Sequence, residues 1–137
     1  MAIKIFIDQG HNPQNPNAGA EGNGLREQDI TYDTGLRLAS LLRDNGNFEV
    51  RLSRNTPTEQ LGTSNASSLA ERVRAANDWG ADYFISLHTN ASTDPTASGT
   101  EAYAFSSNSR GFALGESIVA GISRITGLRD RGTFARP

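Results

Sequence analysis

Two short apolar runs constrain this chain's fold more than any other feature. Ile3, Ile5 and Ile7 alternate with Lys4 and Phe6 before Asp8-Gln9-Gly10, while Tyr83, Phe84, Ile85 and Leu87 form a nearly continuous run before His88. Runs this rich in β-branched and aromatic residues read as strands, and the second, apolar almost throughout, reads as a central strand covered on both faces. The chain has only two histidines, His11 and His88, and each stands just beyond one of these runs.

The intervening segments read as helices and one further strand. His11 to Gly24, rich in Asn, Gly and Pro, reads as a long loop of the kind that often carries function. From Glu27, Ile30, Leu38, Leu41 and Leu42 recur at helical spacing until Asp44-Asn45-Gly46 ends the pattern. Phe48, Val50 and Leu52 alternate as a strand, turn residues follow to Ser67, and Ser68 with Glu71 fits a capping box opening a helix to about Trp79. Thr100 to Phe105 predicts another strand and Ser109 to Thr126 another helix, with no closing element legible after Arg131-Gly132. Strands alternating with helices predict an α/β fold: a mostly parallel twisted sheet, helices on both faces, functional groups at the carboxyl ends of the strands.

Composition narrows the function. A formal charge of -2 and a pI near 5.6 argue against a nucleic-acid partner. With no cysteine, any metal must rest on histidine and carboxylate. No apolar run is long enough for a membrane span, and the opening residues lack a secretion signal.

If the two histidine-bearing strands are neighbours, their ends and the start of the first helix bring His11, His88 and Glu27 to one rim. Two His and one Glu, with a fourth position left to water, is a ligand set of catalytic zinc. Two blander readings stand beside it: the histidines as surface loop residues, and Glu27 as a carboxylate favoured by the helix dipole. The spacing His-x15-Glu-x60-His is not diagnostic by itself.

Ile5-Phe6-Ile7-Asp8-Gln9-Gly10-His11 resembles the strand-plus-Gly-His signature of the zinc-dependent N-acetylmuramoyl-L-alanine amidases, which usually carry Pro where this chain has Gln9. Leu25-Arg26-Glu27-Gln28-Asp29, Leu52-Ser53-Arg54, Glu71-Arg72 through Ala76-Asn77, Ala81 to Ala91, Gly99 to Tyr103 and Arg131-Gly132 are similar to family segments in the family's order. The resemblance implies Zn2+ held by His11, Glu27 and His88. It implies peptidoglycan as partner, cleavage of the amide between N-acetylmuramic acid and L-alanine, and a secreted or wall-associated location. The family's catalytic glutamate lies on a later strand, so residues 1–137 are expected to be the amidase catalytic domain without its C-terminal strand and helix. The neutral imidazoles need acceptors at their far nitrogens, and Asp8 and Glu101 are candidates. Glu101 reads equally as such an acceptor or as an ordinary strand carboxylate, and less readily as a substitute base. Asn90 is a candidate donor to substrate or a developing oxyanion, or else a turn cap. Arg54 and Arg72 read as partners of buried carboxylates, as contacts to substrate carboxylates, or as members of surface ion pairs, the commoner fate. A zinc peptidase, a sugar deacetylase and a catalytically impaired wall-binding or regulatory module are the rival readings.

Overall fold

The computed structural model describes residues 1–137. In chain order the elements are β1 (Ile3–Gln9), β2 (Glu21–Gly22), β3 (Leu25–Arg26), α1 (Glu27–Asn45), β4 (Phe48–Leu52), α2 (Asn65–Trp79), β5 (Tyr83–Leu87), β6 (Thr100–Ala104), α3 (Arg110–Thr126) and β7 (Asp130–Ala135). They fall into two compact units, Met1–Ala91 and Ser92–Pro137. No helix is long and apolar enough to cross a membrane.

In the first unit β4, β1 and β5 form a parallel sheet in that order. Parallel neighbours need crossover connections, which α1 and α2 provide. Side chains alternate across a strand, so β1 has two distinct faces. Ile5 and Ile7 pack with Val50 and with Ala39 of α1, flanked by Leu38 and Leu42. On the other face Arg72 of α2 meets Asp8. The α/β layering with helices on both faces is therefore as the sequence predicts.

Several local readings need correction. The central strand is β1; β5 flanks it, and Phe84 stays 42% exposed. The apolar run of β5 instead serves a stack of Phe84 on Phe6, with ring centroids 5.7 Å apart. Helix α1 buries Glu27, Gln28, Thr31, Gly35 and Ala39, whereas Ile30 and Leu41 lie exposed. Close approach explains this: a Cβ at Gly35 would sit 2.5 Å from Cγ of Gln9. Helix α2 starts three residues ahead of Ser68. Its capping box is Ser64 with Ser67, each hydroxyl accepting from the other's backbone N–H, while Ser68 is buried. The long loop after β1 ends in a β2–β3 hairpin whose Asn23-Gly24 turn has both φ angles positive, the Asn-Gly chemistry of a tight hairpin.

In the second unit β6 and β7 pair in parallel with α3 as their crossover. Ser109 caps α3 by accepting from the Phe112 N–H. Gly115 lets the helix approach Ala102 and Thr133. β7 is a closing strand where none was expected. Its register against β6 shifts between the Thr100–Asp130 and Ala102–Thr133 pairs, and Gly132 there has a φ of 102°. That irregularity breaks the two-residue alternation by which a strand is read.

Candidate metal centre

The parallel register places Asp8 opposite Ser86, and the ladder continues through a bond from the Gly10 N–H to the Leu87 carbonyl. Gly10 thereby lies against the His88 ring. A Cβ there would be 2.4 Å from the Leu87 oxygen and 2.5 Å from Cε1 of His88, so the residue before His11 has to be glycine. His11 then turns out of the strand with φ 70°, a left-handed conformation costly for any residue with a Cβ. Its carbonyl is pinned by the Arg72 guanidinium at 2.7 Å. The loop beyond is tied down by buried Asn12, which donates to the carbonyls of Pro16 and Leu61 and accepts from the Leu61 N–H.

Glu27, the first residue of α1, is 6% exposed. Its Oε1 accepts from the Thr89 N–H at 2.9 Å and its Oε2 from the Ala20 N–H at 3.2 Å. Gly19 allows the loop this close, since a Cβ there would lie 2.8 Å from Cβ of Glu27. Burial alone would raise the Glu27 pKa. The two backbone donors, together with His11 and His88, outweigh it and hold the carboxyl below its ordinary 4.5.

The sequence-predicted triad meets in space. Nε2 of His11 lies 3.3 Å from Oε2 of Glu27, Nδ1 of His88 lies 3.4 Å from Oε1, and the two nitrogens are 3.3 Å apart. The rings stand edge to face at 87°. Ligands about 2.0–2.1 Å from a tetrahedral ion are separated by roughly 3.3 Å, so the donor spacings suit a single zinc-sized ion. The three side chains form a cluster able to hold a metal.

The far side of each imidazole has an oxygen partner, and neither partner was among the expected ones. Nδ1 of His11 faces Oδ1 of Asn17 at 3.2 Å, and Nε2 of His88 faces the Ser86 hydroxyl at 3.1 Å. Asp8 reaches His88 through that hydroxyl, which donates to its Oδ2 at 2.7 Å. Ser86 lies two residues before His88, so strand alternation alone marks it as sharing a face; Asn17 depends on the loop's path and leaves no local signal. Asn90 lies exposed just past β5. Glu101, on β6 in the second unit, pairs with Arg131 at 3.4 Å and accepts from the Tyr103 hydroxyl at 2.8 Å.

Neither expected arginine is at the surface. Arg72, 2% exposed, pairs with Asp8 at 2.9 Å. Arg54, 1% exposed, donates to the carbonyls of Gln9 and Gln28 and to the Thr31 hydroxyl, joining the end of β1 to the start of α1. Burial, then the charge of Arg72, lowers the Arg54 pKa, though a guanidinium stays protonated. Gln9, where the resembling family usually has Pro, is fully buried; its amide donates to the Tyr32 carbonyl and accepts from the Arg54 N–H.

A parallel α/β sheet whose strand ends gather two imidazoles and a buried carboxylate defines a protein that places a cluster able to hold a metal at the sheet rim. The chain belongs to the N-acetylmuramoyl-L-alanine amidase family, whose family model matches residues 5–137. It is 44% identical over 90 residues to the N-acetylmuramoyl-L-alanine amidase CwlM of Bacillus licheniformis, covering 65% of this chain and 32% of that protein. To the amidase LytC of Bacillus subtilis it is 37% identical over 132 residues, covering 93% of this chain and 24% of LytC. The chain thus spans a third or less of these relatives. The solved catalytic domain of the amidase CwlV from Bacillus (Paenibacillus) polymyxa matches with a TM-score of 0.80 at 31% identity, covering 98% of this chain and 70% of that one.

Proposed function

We propose that this chain acts as a zinc-dependent amidase catalytic domain on peptidoglycan at the cell wall, cleaving the amide between N-acetylmuramic acid and L-alanine. The observation that carries the reading is the set of 3.3–3.4 Å separations among the donors of His11, Glu27 and His88 in a chain of this family. When bound, zinc would supply Lewis acidity that polarises an amide carbonyl and acidifies water.

The chain's own residues prepare that chemistry. Two backbone N–H groups and the neighbouring imidazoles hold Glu27 as an ionised donor against the cost of its burial. The oxygen partners of Nδ1 in His11 and Nε2 in His88 leave the opposite nitrogens free to take the ion. Asn90, two residues past His88, is assigned to hydrogen-bond the substrate.

Incubation with purified peptidoglycan and zinc should release stem peptides bearing a free L-alanine amino group, and His88→Ala should abolish both that release and stoichiometric zinc. Cleaved peptide cross-links or free acetate as the products would refute the amidase reading. Full zinc retention by His88→Ala would refute the site.

A further inference from the structure

Arg72 has five N–H groups, and each has an acceptor among five named oxygens. Nη1 donates to Oδ1 of Asp8 and the Gln9 carbonyl, at 2.9 and 2.7 Å. Nη2 donates to the His11 carbonyl and Oδ1 of Asn12, at 2.7 and 2.9 Å. Nε faces the Ser68 hydroxyl at 3.4 Å. No donor is left over for a substrate carboxylate, so the role of this arginine lies inside the protein.

Two hydrogen-bonded arms leave Arg72 and end on the two histidines. In the first, Asp8 is an acceptor only, so the Ser86 hydroxyl must give its proton to Oδ2 of Asp8. That hydroxyl can then only accept from His88, which places the ring proton on Nε2 and leaves Nδ1 bare toward the cluster. In the second arm, Ser68 Oγ accepts from Arg72 and from Nδ2 of Asn17, at 3.1 Å for the latter. With its Nδ2 on Ser68, Asn17 turns Oδ1 to His11, which places that ring's proton on Nδ1 and leaves Nε2 bare.

We propose that Arg72 is the positioning residue of the metal centre: one buried, donor-only guanidinium sets the tautomer of both histidines through the Asp8–Ser86 and Ser68–Asn17 arms. The inference rests on the metal-site reading for its purpose but not for its test, because tautomers can be read in the metal-free protein. With only two histidines in the chain, ring-nitrogen NMR has two spin systems to assign.

At a pH where both rings are neutral, the native protein should show His88 protonated on Nε2 and His11 on Nδ1. Ser86→Ala should disturb only His88 and Asn17→Ala only His11, each weakening zinc binding about 10- to 100-fold in chelator competition. Ser86→Thr, which keeps the hydroxyl, should restore the native pattern. Arg72→Lys, which keeps the charge but not the fork, should disturb both rings; if it fails to fold, Asp8→Asn, which lets Ser86 reverse its donation, takes its place and should disturb His88. A purely structural Arg72 would leave both tautomers native in Arg72→Lys, and that result overturns the proposal, as does a native His88 tautomer in Asp8→Asn or Ser86→Ala. Failure of the unmutated protein to bind zinc would instead overturn the metal reading while leaving the tautomer result to stand alone.

Discussion

The two faces of β1 are made of the same strand and do different work. Toward α1 it presents Ile5 and Ile7 to Val50 and Ala39, an apolar contact with no direction beyond shape. Toward α2 it presents Phe6, Asp8 and then Gly10, matched on β5 by Phe84, Ser86 and His88. On that face packing gives way, one residue pair at a time, to a charge pair, a hydroxyl and finally an imidazole of the cluster. Hydrophobic burial sets how firmly the sheet holds, while directional hydrogen bonds set which atoms point at the cluster. The comparison implies that the faces can be damaged separately.

The largest stability loss should come from the apolar face. Ile7 is fully buried, so Ile7→Ala should cost about 2–5 kcal/mol through lost transfer energy and a cavity. Urea unfolding would measure it, and zinc affinity of the folded fraction should be unchanged; a parallel loss of affinity would break the separation of the faces. Gly10→Ala strikes the other face, forcing a Cβ against the Leu87 carbonyl and the His88 ring. It should cost less, about 1–3 kcal/mol as an overpacked site, yet remove most zinc binding.

The smallest effect concerns acid. Because the folded Glu27 carboxyl lies below 4.5, the stability it contributes is present above that pH and is lost as pH falls through the lowered folded value. Glu27→Gln should therefore flatten the acid dependence of the unfolding midpoint in that range while leaving the dependence near neutrality unaltered. An unchanged acid limb would show that the carboxylate is not held as its two backbone donors suggest.

Particular residues show what was legible beforehand. The alternation of Ile3, Ile5 and Ile7 and the helix from Glu27 to Asn45 were readable because each is a local pattern. Ile30 and Leu41 misled, since the strand's close approach favours Thr31, Gly35 and Ala39 at the contact. The strand β7 was hidden by its register shift, and the tight turn at Asn23-Gly24 lay inside a stretch already rich in Asn and Gly.

By itself the sequence determined the alternating elements and narrowed the metal donors to His11, His88 and a carboxylate, because strand ends and residue chemistry are local properties. Tertiary structure decided which nitrogen of each ring faces Glu27 and that Arg72, 64 residues from Asp8, stands behind both. Those outcomes depend on the parallel register that sets Asp8 beside Ser86 across 78 residues, and no window of sequence contains both partners.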